Sequence, residues 1–110
     1  MKNLILIMLI LSASFVFAVD QLKKESIKTS AVCDMCKDRI ESQLGKLDGI
    51  KKVTLDLDKN QVDVEFDEKV ITKETIKEKL TDIGYDADNL KKSKKAFKKL
   101  PKCCQGEHNH

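Results

Sequence analysis

The apolar residues of this chain change their spacing several times between Glu25 and Ile83, and those changes restrict the fold more than any other feature. From Glu25 to Ala31 they alternate: Ile27, Thr29 and Ala31 face one side, Ser26, Lys28 and Ser30 the other. A period of two predicts a half-buried strand. Cys36, Ile40, Leu44 and Leu47 then fall at helical spacing, with Lys37, Asp38, Arg39, Glu41 and Lys46 covering the rest and Gly49 as a stop. Val53, Leu55 and Leu57 alternate again, as do Val62, Val64 and Phe66, with Lys59-Asn60 between the runs. That predicts a hairpin with one apolar face. Thr72 is placed to cap a second helix, because its hydroxyl can accept from a free N–H of the first turn. Ile71 and Ile76 can staple the entry. Ile76, Leu80 and Ile83 make the stripe, and Gly84 ends it.

The predicted order is strand, helix, strand, strand, helix. A short last strand near Tyr85 to Leu90 would complete an α+β, ferredoxin-like βαββαβ sandwich, an antiparallel sheet with both helices on one face. From Asp88 to Leu100, however, Leu90, Phe97 and Leu100 recur among lysines, which fits a third helix better than a strand. Pro101 breaks that helix. The lysine-rich run Lys91 to Lys99 reads as its solvated face. The tail from Lys102 to His110 is polar and is expected to be mobile.

The N-terminus reads as an address. Lys2 is positive, Leu4 to Leu11 is an unbroken apolar run, and Val16 and Ala18 stand where a signal peptidase reads. We expect a signal peptide over 1–18 with cleavage after Ala18. The alternative is a retained anchor, but the stretch is short for a span of about 20 residues. No cysteine lies near the cut to carry a lipid. The expected organisation is a signal peptide at 1–18, a folded domain at 19–90 and a C-terminal helix with a Cys/His tail at 91–110. The expected location is the periplasm in a double-membrane bacterium and the extracellular medium otherwise. The mature protein is expected to be a soluble monomer.

Size and charge exclude several classes. One domain of a 110-residue chain has no room for a large enzyme's pocket. The formal net charge of +3 is nearly balanced, and five aromatics are too few for base-stacking platforms, so a nucleic-acid partner is not expected. Four cysteines in a small exported domain would ordinarily mean two disulfides. Here Cys33 and Cys36 are three apart and Cys103 and Cys104 are adjacent, so neither close pair ties distant parts of the fold together.

Cys33-Asp34-Met35-Cys36 sits where the first strand hands over to the first helix. Two sulfurs so spaced on a turn can converge on one ion. The helix N-terminus offers unpaired N–H groups and partial positive charge, which favour the metal-binding thiolate. Two soft sulfurs without a nearby His suit Cu(I). A closed zinc site would need two further ligands. The competing readings are a plain disulfide and an inert buried pair. Met35 reads first as a packing residue and only second as a neighbour of the ion. Cys103, Cys104, His108 and His110 crowd into the last eight residues and form an auxiliary metal-site candidate. Folded over the Cys33/Cys36 loop, they would raise the ligand count to three or four.

The residue order from about Glu25 to Asp88 resembles the heavy-metal-associated domain family of small copper chaperones and metal-ATPase N-terminal modules. The resemblance rests on Cys33-x-x-Cys36 after the first strand, the βαββα order, and Thr81-Asp82-Ile83-Gly84-Tyr85-Asp86-Ala87 closing the second helix. It implies metal ligation by Cys33 and Cys36 and places Tyr85 in the shell around the ion. It implies Cu(I) first, with Hg(II), Zn(II) and Cd(II) as alternatives, and a metal-transporting ATPase or other metal transporter as partner. The exported setting is similar to periplasmic metal scavengers, mercury-binding ones included. The family prefers Gly-Met ahead of the first cysteine, where this chain has Ser30 and Ala31 followed by Val32. Ala31 fills less core volume than Met. Zinc- and cadmium-type members tend to carry Asp where Val32 stands, which favours Cu(I).

Three functions compete. One is a non-enzymatic carrier that passes a soft ion by ligand exchange. Another is a thiol–disulfide oxidoreductase, since Cys-x-x-Cys at a helix start also serves those enzymes. It is disfavoured because a hairpin follows the helix, no Trp precedes Cys33, and the lone Pro101 lies in the tail. The third is a metal buffer that never hands the ion on.

Overall fold

The computed structural model describes Leu22 to Gly106. The signal-peptide reading and the His108 and His110 candidates lie outside the described residues. Three strands form an antiparallel sheet: β1 (Leu22–Lys28), β2 (Ile50–Asp56) and β3 (Gln61–Asp67), in the order β1-β3-β2. Helix α1 (Asp34–Gly45) follows β1 and α2 (Lys73–Asp82) follows β3. A short α3 (Lys94–Lys98) and a 3-10 turn (Lys102–Gln105) end the described chain. Among the described residues, no helix is long and apolar enough to cross a membrane.

Cross-strand partners put the apolar residues on one face. Val62 lies opposite Ile27 on one side and Leu55 on the other, and all three are buried. Val64 and Phe66 continue that face. The helices cover it with Cys36, Ile40 and Leu44 from α1 and Ile76 and Leu80 from α2, each fully buried. This is the predicted stripe, except that Leu47 and Ile83 lie past the ends of α1 and α2 and only partly pack. The hairpin forms as expected. Asp56 Oδ1 accepts from the Asp58 and Lys59 N–H groups at 2.9 and 3.1 Å and turns the chain back. Thr72 caps α2, its hydroxyl accepting from the Thr75 N–H at 3.2 Å, and Ile71 and Ile76 are both buried at the staple positions.

The ends of the pattern differ from expectation. Strand β1 starts at Leu22 and stops at Lys28, not Ala31. Thr29 keeps one bridge to Ala87, and the Ser30 hydroxyl then accepts from the Asp86 N–H at 2.9 Å, which takes the chain out of the ladder. The fourth strand is reduced to two single-residue bridges, Thr29 with Ala87 and Ala87 with Leu90. Ala87 and Leu90 pair with each other across a tight turn, with Asp88 at a φ of 52°, so the segment folds on itself and cannot extend along β1. The third helix is also shorter than expected. Ser93 caps it, accepting from the Ala96 N–H at 3.2 Å, and α3 spans only Lys94–Lys98. The start of the tail takes the form of a 3-10 turn over Lys102–Gln105. Pro101 stops α3 and opens the 3-10 turn, whose Cys104 joins Leu100 in the core.

Candidate metal centre

Cys33 ends the loop after β1 and is the N-cap residue of α1, with extended backbone (φ −149°, ψ 169°). Its side chain makes no cap hydrogen bond of good geometry, unlike Thr72 and Ser93, and the Cys36 N–H only points toward its sulfur. The first-turn N–H groups of α1 thus face that sulfur and favour its thiolate. Cys36, one turn on, belongs to the α1 stripe and is fully buried. Its sulfur lies 3.3 Å from that of Cys33. Ala31, just ahead, is buried although it is smaller than the Met the resemblance favours there.

A third sulfur completes the cluster. Cys104 Sγ lies 3.6 Å from Cys33 Sγ, and the sulfurs of Cys33, Cys36 and Cys104 are all within 4.8 Å of one another. Cys104 is 2% exposed. Cys103 is half-buried and its thiol contacts Cys33, but it lies outside that close triad. All four cysteines are free thiols. Of the four tail candidates, Cys104 lies inside the cluster, Cys103 beside it, and His108 and His110 outside the described residues.

Gly84 and Tyr85 hold the far side. Gly84 has φ +107°, and a Cβ there would meet Leu100 Cδ1 at 3.0 Å and the Phe97 N at 3.1 Å. A side chain would push α3 away, so this glycine permits the strap to close. Tyr85 is 1% exposed, and its hydroxyl faces the Cys104 and Cys36 sulfurs without a hydrogen bond of good geometry. Tyr85 thus sits beside the cysteine cluster. Met35 does not take the expected packing role: it is 54% exposed, because its place in the first turn of α1 lies off the buried stripe.

The cluster splits the acidities of its thiols. Burial opposes ionisation of Cys33. The Cys103 thiol, the Cys36 N–H and the Cys36 and Cys104 thiols donate toward its sulfur, and together they win, bringing its pKa down to about 7. Cys104 is pushed up to about 12, by burial first and by its hydrogen bond with Cys36 next. Cys103 rises to about 11, chiefly through its hydrogen bond to Cys33. Burial foremost, then contact with Cys104 and Cys36, raises the Tyr85 hydroxyl well above the usual tyrosine range, so it stays a donor. The arrangement offers one ready thiolate, neighbours that ionise when a cation replaces their protons, and a buried donor for the resulting charge.

Residues 26–86 match the heavy-metal-associated domain. The chain belongs to that family. This heavy-metal-associated protein is 48% identical over 54 residues to the copper chaperone CopZ of Staphylococcus haemolyticus, covering 49% of this chain and 79% of that one. It is 40% identical over 57 residues to a probable copper-exporting P-type ATPase of Archaeoglobus fulgidus, covering 52% of this chain and 7% of the ATPase. Among solved structures, a CopZ metallochaperone superposes with a TM-score of 0.57 at 29% identity, over 59% of this chain and 98% of that one. The family match ends at residue 86, so the strap with Cys103 and Cys104 lies beyond it. Leu100 and Cys104 are buried in the core and Phe97 packs against it, but the sequence alone shows Phe97 and Leu100 only as the stripe of a third helix and Cys104 as part of a tail.

Proposed function

We propose that this protein is an exported carrier of Cu(I) that takes the ion on Cys33 and Cys36 and yields it by thiolate exchange. The observation that carries the reading is the 3.3 Å approach of those two sulfurs at the start of α1 in a heavy-metal-associated domain. The names of the relatives, a copper chaperone and a probable copper-exporting ATPase, support copper as the cargo. The apolar N-terminal run with Val16 and Ala18 supports export.

The chemistry favours handover. Cu(I) is soft and accepts low coordination with sulfur. Cys33 is half-buried, so a partner's thiolate can reach an ion held there. A new metal–sulfur bond forms as one to this chain breaks, the released cysteine takes a proton, and copper stays Cu(I). The process is carriage; only metal–sulfur bonds change. Val32 and Met35 are exposed beside the cysteines and offer an apolar contact to the recipient. The recipient is a metal-binding module of a copper-transporting ATPase or similar transporter.

Anaerobic titration of the reduced chain against a chromophoric Cu(I) chelator tests this. One ion per chain is expected, with loss of tight binding in the Cys33→Ser/Cys36→Ser variant. Mixing the loaded chain with an ATPase metal-binding module should move the ion without releasing it to the chelator. Tight uptake that survives loss of both cysteines would refute the reading.

A further inference from the structure

Cys104 lies outside the residues that match the family, yet the fold brings it into the cysteine cluster. We propose that Cys104 is a third thiolate ligand, carried by the strap Ser93–Gly106, and that it retains the ion in a three-sulfur shell until a partner displaces it. The proposal deepens the carrier reading above and rests on it.

The strap is built to hold that sulfur in place. Leu100 is 6% exposed and Phe97 packs against the core. The Gln105 side chain donates to the Leu100 carbonyl at 2.7 Å and to the Lys98 carbonyl at 3.3 Å, which ties the 3-10 turn to α3. The Ser93 N–H donates to the Thr81 carbonyl at 3.0 Å, which fixes the strap's start to the end of α2. Gly84 leaves the space in which the strap lies.

The sulfur spacing lets three ligands share one ion. At a soft-metal–sulfur distance of about 2.3 Å, a linear pair stands about 4.6 Å apart and a trigonal set about 4.0 Å apart. Cys33 stands 3.3 Å from Cys36 and 3.6 Å from Cys104, and all three sulfurs lie within 4.8 Å of one another, so small outward shifts bring them onto one ion. The Tyr85 hydroxyl gives an independent pointer. It is buried, has no hydrogen-bond partner, and faces the Cys104 and Cys36 sulfurs. A metal-bound thiolate is the strong acceptor that this donor lacks. Three thiolates on Cu(I) leave two net negative charges, and the exposed lysines of the same strap, Lys98, Lys99 and Lys102, carry the opposite sign.

Release follows by exchange. A partner's thiolate bonds to copper as the Cys104 bond breaks, Cys104 takes a proton, and no electron moves. The ion then rests on Cys33, Cys36 and the partner.

The test is X-ray absorption at the copper edge on the full chain, reduced and loaded anaerobically with one equivalent of Cu(I). Three sulfurs are expected, falling to two in Cys104→Ser with one ion still bound. Affinity against the chelator should drop roughly tenfold or more, since even outer partners of metal ligands are worth that much. Cys103→Ser should keep the three-sulfur shell. A two-sulfur shell in the unmodified chain overturns the proposal, as does loss of the third sulfur in Cys103→Ser in place of Cys104→Ser. Either result leaves the carrier reading standing. That reading fails separately if Cys33→Ser/Cys36→Ser still takes up copper tightly. If Cys104→Ser does not fold, the shell of the unmodified chain, with Cys103→Ser beside it, decides.

Discussion

The Cys104 sulfur lies 3.6 Å from the Cys33 sulfur, although 71 positions separate them in the chain. That contact joins the loop after β1 to the last turn of the strap. It makes the thiols one electrostatic unit, so a change at either end should be felt at the other.

Thiol reactivity gives the first prediction. With its pKa near 7, against 9.0 for an ordinary thiol, Cys33 is half thiolate near neutral pH. The pKa is depressed, so the thiolate is present above the midpoint and is lost as pH falls through it. Alkylation of the metal-free, reduced chain with iodoacetamide should therefore begin at Cys33, with a midpoint near pH 7. Cys103, pushed up to about 11, should lag despite being comparably accessible. Peptide mapping by mass spectrometry reads this directly. Earlier modification of Cys103 would contradict the assigned acidities.

Tyr85→Phe separates stability from binding. The ring stays packed and the orphaned hydroxyl goes. An unsatisfied buried polar group costs about 1–3 kcal/mol, so the metal-free variant should be as stable as the parent or more so. Loss of a donor to the ligands should weaken Cu(I) binding by about tenfold. Denaturant unfolding and chelator competition measure the two effects. A fall in both together would mean that the hydroxyl serves the fold.

Gly84→Ala should loosen the strap. The backbone at φ +107° disfavours a side chain, and the added carbon would press on Leu100 and the α3 backbone. A cost of about 1–3 kcal/mol is expected from the strain. Amide exchange should rise across residues 93–106 while the sheet remains protected. Exchange that rises equally in β3 would show that the strap does not move by itself.

Thr72→Ala is the matching control. The Thr72 hydroxyl caps α2 and belongs to none of the groups around the cysteines. Its loss should lower stability by about 1 kcal/mol and leave copper affinity unchanged. A coupled loss of affinity would show that binding follows global stability.

Much of this molecule was legible without coordinates. The buried residues Cys36, Ile40, Leu44, Val62, Val64, Phe66, Ile76 and Leu80 are among those that the two periods select, while Leu47, Val53, Leu57 and Ile83, also selected, are only partly buried. Period is local, and a local pattern fixes which face of an element turns inward. The Cys33/Cys36 pair was legible for the same reason, since a strand-to-helix switch at a fixed spacing places both sulfurs at one bend. The last strand of the ferredoxin-like pattern is present only as a short pairing beside the end of β1, the Thr29–Ala87 bridge and the Asp88 N–H to the Lys28 carbonyl. How far that pairing runs depends on Ser30, whose hydroxyl takes the Asp86 N–H.

The chain's own order of residues determined the sheet, the two main helices, their inward faces and the two-cysteine bend, because each follows from neighbours a few positions apart. Only the tertiary structure decided that Cys104 lies within the triad while Cys103 stays outside it, that Tyr85 aims an unpaired hydroxyl at their sulfurs, and that Gly84 makes room for the strap. Those placements depend on where separate segments meet, and the meeting is fixed by packing Leu100 and Phe97 onto a shared core, which no local spacing encodes.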